Sequence, residues 1–185
     1  MRSVKEILHS WAVFDSAGVH INGSDKESNH HYGDAYESLF GNRNLVNLVM
    51  EVGVADGSCL HAWSEVFPNA TIVGMDIHPS ATAFGDRIEF HLGNQRSRQD
   101  CERAAAGRQF DLIIEDAVHS IENTLLTLFW LWPFVKKGGL YVVEEWDGIC
   151  GDKDRIHALW HNVDIIGTCG PTNQDEPLVV FRKHL

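Results

Sequence analysis

Val49-Met50-Glu51-Val52-Gly53-Val54-Ala55-Asp56-Gly57-Ser58 is the stretch on which the reading of this chain turns. It continues an apolar run, Leu45, Val46, Leu48, Val49 and Met50, which Val52 and Val54 extend, as a buried strand requires. The run breaks at Gly53 and Gly57. Ser58 follows, placed to cap a helix whose apolar face is Leu60, Trp63 and Val66. A glycine turn between strand and helix exposes backbone that no Cβ shields. The helix N-terminus adds unpaired amides and a partial positive charge.

The dinucleotide fingerprint, Gly-x-Gly-x-x-Gly, fits poorly, because this loop is Gly53-x-x-x-Gly57 with Ala55 in between. Glu51 would repel a pyrophosphate but suits a ligand carrying an ammonium and a sulfonium. The pattern Glu-x-Gly-x-x-x-Gly-Ser resembles the first motif of class I S-adenosylmethionine-dependent methyltransferases. The competing reading is a plain strand-to-helix turn.

A chain of 185 residues is one domain by prior, long enough to bury a sizeable core. Its 15 basic and 26 acidic residues give a net charge of −11, which argues against binding a nucleic-acid backbone. Cys59, Cys101, Cys150 and Cys169 are scattered and form no Cys-x-x-Cys pair, as in a reduced, cytoplasmic protein. No apolar signal core follows Met1. The longest uncharged apolar run, Thr124 to Val135, is too short to span a bilayer and contains Pro133. No membrane association is expected.

Val4, Ile7, Leu8 and Trp11 have helical spacing, so the chain is predicted to open with an amphipathic helix. Asn22 to His31 reads as a polar loop and a lid. His30 and His31 are possible metal ligands, but as adjacent loop residues they are expected to point apart. A short helix around Tyr32, Tyr36, Leu39 and Phe40 ends at Gly41. Thr71 to Ile77 reads as a strand ending in Asp76, at the spacing where a carboxylate meets ribose hydroxyls; it could also be a turn former. A third strand, Arg87 to Leu92, ends at Gly93-Asn94-Gln95, whose backbone and amides suit an adenine edge. Ser97 to Gly107 reads as a helix, Phe110 to Asp116 as a strand, Ile121 to Val135 as a helix ended by Lys136-Lys137-Gly138-Gly139, and Gly139 to Glu145 as a strand. A helix from Asp152 to Trp160 and two strands, Val163 to Gly167 and Leu178 to Phe181, parted by Gly170-Pro171, complete the pattern. The alternation predicts an α/β protein: a Rossmann-like doubly wound sheet, mostly parallel, with a C-terminal antiparallel hairpin. The division is one domain, 1–185, with 1–44 a helical cap and lid and 45–185 the core. Glu51, Asp76, Asp116, Glu144 and Glu145 all fall at strand carboxyl ends, where such sheets bind ligands.

Glu115-Asp116-Ala117-Val118-His119, followed by Gly138-Gly139-Leu140-Tyr141-Val142-Val143-Glu144-Glu145, resembles the metal-dependent sugar O-methyltransferases of the macrocin and mycinamicin type and their cephalosporin-hydroxylase-like relatives. The family pattern is Asp-Asp-Gly-Ser-His, a helix, then Gly-Gly-Leu-Tyr-Val-Ile-Glu-Asp. Ser24-Asp25-Lys26, with His30, Tyr32 and Tyr36, is similar to the family's Thr-Asp-Lys segment. The resemblance runs from about Ser24 to Trp146. It implies a Mg²⁺-type ion at Asp116, Glu144 and Glu145, with His119 as general base and Asp116 beside it. Here Glu115 and Glu145 stand where the pattern has aspartates, and Ala117-Val118 where it has Gly-Ser.

These readings converge on an S-adenosylmethionine-dependent O-methyltransferase acting on a sugar or glycosylated small metabolite, with room for a homo-oligomer. Glu51, Gly53, Gly57, Ser58, Asp76, Gly93, Asn94 and Gln95 form the expected cofactor site. A non-catalytic S-adenosylmethionine-binding module and a cephalosporin-hydroxylase-like oxygenase are the alternatives. The oxygenase would need a redox metal, which a carboxylate-rich set suits less well than Mg²⁺.

Overall fold

The structure, a computed structural model, describes residues 1–80, 85–146, 163–165 and 178–184. Helix α1 (Val4–Ser10) is started by a reciprocal cap: the Ser3 hydroxyl accepts from the Glu6 amide, and the Glu6 carboxylate accepts from the Ser3 amide. The hairpin strands β1 (Ala12–Phe14) and β2 (His20–Gly23) follow, then α2 (Gly33–Leu39), β3 (Leu48–Val52), α3 (Ser58–Val66), β4 (Thr71–Asp76) and β5 (Ile88–Leu92). After them come α4 (Arg98–Ala105), β6 (Phe110–Glu115), α5 (Ile121–Leu131), β7 (Val135–Val143), β8 (Val163–Ile165) and β9 (Val179–Lys183). The expected helix Asp152 to Trp160, the Gly170-Pro171 break, and Cys150 and Cys169 lie outside the described residues.

Among the described residues, the main sheet has the order β5-β4-β3-β6-β7-β9-β8. The first five are parallel, and β9 runs antiparallel to both β7 and β8. This is the Rossmann-like sheet and terminal antiparallel pair that the alternation predicts. Chain order reverses between β3 and β6, so a crevice opens beyond their carboxyl ends.

Each strand alternates between two cores. Val49, Ile72, Ile114 and Val142 pack toward α1, α2 and α3, where Trp63 and Phe67 are fully buried. Met50, Val73, Ile113 and Tyr141 pack toward α4 and α5 with Cys101, Leu128 and Leu131. The same alternation sends Glu51 to the face of Val49, into the first core. Among the described residues no helix is long and apolar enough to cross a membrane.

Two local departures have clear causes. Helix α5 ends at Leu131, not Val135: a short 3-10 turn, Trp132–Phe134, carries Pro133, whose ring cannot continue an α-helix. Strand β7 then starts at Val135 opposite Phe110, so Lys136 and Lys137 lie in the strand and are not a helix end. The apolar pattern does not predict the β1–β2 hairpin. Val13, Val19 and Ile21 are exposed there, so its alternation carries no buried face to read.

Gly53 joins the loops after β3 and β6. Its φ is 87°, and a Cβ there would stand 2.2 Å from the Asp116 carbonyl oxygen. Gly53→Ala therefore meets both a left-handed backbone and a backbone clash. It is expected to lower stability by about 2–4 kcal/mol, read as a reduced urea midpoint. An unchanged midpoint would show that the two loops can separate at little cost.

Candidate active site

A cavity of about 710 Å³ fills the crevice. Gly53, Ala55, Asp76, Gly93 and Asn94 line one end; Asp116, His119 and Glu145 line the other.

At the first end the chain turns through alternating left-handed residues, Gly53 (φ 87°), Ala55 (φ 45°) and Gly57 (φ 88°). Such a turn aims successive amides to one side. Here the side chain of Asp76 receives them: its Oδ2 accepts from the amides of Val54 at 2.9 Å and Ala55 at 3.1 Å, and its Oδ1 accepts from His78 at 2.8 Å. The loop is thus already neutralised by a carboxylate, which disfavours a phosphate. Asp76 borders the cavity, and a carboxylate has lone pairs to spare for a ligand hydroxyl.

Ser58 does not cap α3. Gly57 takes the cap position, and Ser58 is the first helical residue. Asp56 does the capping, accepting from both the amide and the hydroxyl of Ser58 at 2.9 Å. Gly57 and Ser58 are not among the residues that line the cavity.

Gln95 is a brace. Its side-chain amide donates to Glu115 at 2.9 Å and to Thr127 at 3.1 Å, while its Oε1 accepts from the Val118 amide at 2.9 Å. That side chain therefore braces the β6 loop, and Gln95 also lines the cavity. The Asn94 side-chain oxygen is likewise used locally, by the Arg96 amide.

The deepest charged group is one the sequence reading did not single out for a role. Lys26 is fully buried, with its Nζ 2.6 Å from Asp116 Oδ2, 2.6 Å from Glu144 Oε2 and 3.1 Å from Glu51 Oε1. The Trp63 ring lies 6.0 Å away, and Tyr36 donates its hydroxyl to Glu144 Oε1. Glu51 is therefore not the partner of a ligand ammonium. It is fully buried, and the ammonium it faces is the protein's own. The stretch read as a lid has its middle in the core, since Ser24, Lys26 and Glu27 are all buried.

Closer to solvent, ligand atoms of Asp116, His119 and Glu145 all lie within 4.8 Å of one another. Glu145 has a left-handed backbone, φ 53°, which turns its side chain away from that of Glu144. Its two oxygens are each 3.2 Å from an imidazole Nε2, His30 on one and His119 on the other. The Glu145 amide donates to the Tyr32 hydroxyl, and Tyr32 stacks on His30. His31 points elsewhere, toward Glu27. Of the three acids expected to hold a metal, Asp116 and Glu145 are brought together with His119. Glu144 is drawn inward by Lys26 and Tyr36.

Burial raises the carboxyl of Glu51 to about 6 and that of Glu115 to about 7. Burial raises Glu144 as well, against the pull of Lys26. Burial alone would lower the Lys26 ammonium. Asp116, Glu144 and Glu51 together outweigh that and hold it well above the usual lysine range.

No family model matches the chain. It is 33% identical over 126 residues to demethylmacrocin O-methyltransferase of Streptomyces fradiae, covering 60% of this chain and 32% of that one. To mycinamicin VI 2''-O-methyltransferase of Micromonospora griseorubida it is 31% identical over 125 residues, covering 60% and 31%. The chain thus spans about a third of the length of these curated relatives. Among solved structures it is similar to the MycE methyltransferase of the mycinamycin pathway in complex with Mg, SAH and mycinamycin VI. That match has a TM-score of 0.76 at 21% identity and covers 99% of this chain and 54% of that one.

A carboxyl raised in the fold stabilises it while protonated, so the folded state binds more protons than the unfolded chain. The stability contributed by Glu51 and Glu115 is complete below their ordinary value of 4.5 and is lost as pH rises through about 6 and about 7. Stability is expected to fall by about 2–5 kcal/mol between pH 5 and 8. His91, lowered by burial, works the other way, so Glu115→Gln is the control that isolates the carboxylates. Urea unfolding across this range checks it. A slope that Glu115→Gln leaves unchanged would remove Glu115 from this account.

Proposed function

We propose that this chain carries the catalytic core of an S-adenosylmethionine-dependent O-methyltransferase, assisted by a divalent ion of the Mg²⁺ type and acting on a hydroxyl of a sugar or glycosylated small metabolite. The observation that carries the reading is one cavity with a loop closed by Asp76 at one end and the Asp116–His119–Glu145 group at the other. The two curated relatives, named for O-methylation of demethylmacrocin and of mycinamicin VI at its 2'' position, support a hydroxyl-bearing small metabolite as acceptor.

The residues fit both groups. The cofactor end is acidic where a nucleoside hydroxyl needs an acceptor, and its amides are spoken for. The other end offers two carboxylates, oxygen ligands suited to a hard divalent ion, with the His119 imidazole beside them. Bound there, S-adenosylmethionine supplies a methyl group on a sulfonium, and the ion lowers the pKa of an acceptor hydroxyl.

Asp76 and the backbone around Gly53 and Gly93 hold the nucleoside end. Asp116 and Glu145 hold the ion, and Glu144 supports Asp116 from behind through Lys26. His119, 40% exposed at the cavity wall, takes the acceptor proton on an imidazole nitrogen as the oxygen–methyl bond forms and the sulfur–methyl bond breaks. Glu145 turns the His119 ring toward the cavity and steadies the charge it gains.

The test is methylation of a panel of glycosylated small molecules, read by mass spectrometry with Mg²⁺ and with excess chelator. Chelator is expected to abolish turnover. His119→Ala is expected to reduce turnover about a hundredfold or more while cofactor affinity stays within about twofold. Full activity in chelator would remove the ion from the reaction. Cofactor binding with no methylated product from any acceptor would favour a non-catalytic binding module.

A further inference from the structure

Lys26 is where the charges of this molecule converge. Its Nζ has three carboxylate oxygens, from Asp116, Glu144 and Glu51, within 3.1 Å, and no surface exposed to solvent. Those partners come from the carboxyl ends of β3, β6 and β7, the same strand ends that surround the cavity. The distances are those of a cation seated among oxygen ligands. Asp116 belongs to both neighbourhoods: its Oδ2 faces Lys26, and it is also one of the three residues grouped at the cavity wall. Two cation positions thus share one carboxylate, an inner one and an outer one.

We propose that Lys26 is a built-in cation: its ammonium fills the inner position among Asp116, Glu144 and Glu51, and thereby confines a divalent ion to a single outer position beside Asp116 and Glu145. The charge at the inner position decides this. Three carboxylates brought together in a dry core repel one another and attract any cation that can enter. A tethered ammonium there is always present, needs no uptake from solvent, and leaves Asp116 oriented toward the cavity before any ion arrives. Tyr36 adds a second restraint by holding the other oxygen of Glu144. Lys26 is on this account a positioning residue, since it lines no part of the cavity. The inference rests on the outer position taking a divalent ion, as in the function proposed above.

Mn²⁺ titration of the whole chain, with free Mn²⁺ followed by electron paramagnetic resonance, separates the two ideas. The unaltered chain is expected to bind one Mn²⁺, lost in Glu145→Gln. Lys26→Met is expected to bind two, and the double variant Lys26→Met with Glu145→Gln to keep one. Lys26→Arg, which retains the charge, stays at one. If Lys26→Met is unfolded without metal, Mn²⁺ is expected to restore its native circular dichroism. A Lys26→Met chain that binds a single Mn²⁺ still lost on Glu145→Gln overturns the proposal, as does one that stays unfolded in saturating Mn²⁺. If the unaltered chain binds no Mn²⁺, the outer site itself fails. A Lys26→Met chain that then gains an ion would still show the inner position to be a cation site.

Discussion

A buried ammonium surrounded by three carboxylates sets the terms for the rest of this molecule. Taking a charge out of water is unfavourable by several kcal/mol, and leaving a buried partner uncompensated costs about 3–5 kcal/mol. The Lys26 cluster limits this cost by bringing an oxygen of each of the three carboxylates within 3.1 Å of the ammonium, although both oxygens of Glu51 are buried without a hydrogen bond. That requirement ties the N-terminal segment to the ends of β3, β6 and β7. Residues 24–36 are therefore packed behind the site, with Asp25 reaching the cavity, and Tyr36, packed 4.8 Å from Trp63, fixes them against α3.

The sheet explains why the acids sort as they do. Strand alternation sends Glu51 and Glu144 into the core beneath α3, while Glu115 faces the α4–α5 layer, where Gln95 and Thr127 receive it. The parallel order places all these strand ends on one edge. The reversal between β3 and β6 then opens the space in which Asp76 and Asp116 face a common cavity from opposite ends. Gly53 lets the two loops that carry them approach at backbone distance.

Much of this was legible in the chain itself, because long apolar strands and glycine turns impose periods that survive tertiary context. The order of elements, the strand–turn–helix at Gly53 and the acidic edge follow from such periods. What escaped has physical reasons. Lys26 lies in a polar stretch without periodicity, and its burial depends on partners 25 to 118 residues away. Ser58, expected to cap α3, meets Asp56 instead, while Gln95 lines the cavity and at the same time engages Glu115 and Thr127, partners that no local pattern discloses. The end of α5 at Leu131 leaves no mark in the apolar pattern, because Leu, Phe and Trp continue without a break up to Pro133. Glu144 and Glu145 look equivalent beside Asp116 in the motif, since adjacent letters do not disclose the left-handed backbone turn of Glu145.

That turn makes two neighbouring, chemically equal residues belong to different media. Left-handed backbone suits asparagine or aspartate better than glutamate, with a penalty on the order of 1 kcal/mol for an ordinary side chain. The related motif has aspartate at this place. The glutamate here accepts a less comfortable backbone in return for one more methylene of reach, and that reach lets a single carboxylate span from the imidazole of His30 to that of His119. The dipeptide thereby works as a partition: its first carboxylate is sealed with the core, its second is answerable to whatever enters the cavity, and the boundary between dry and wet chemistry falls on one peptide bond.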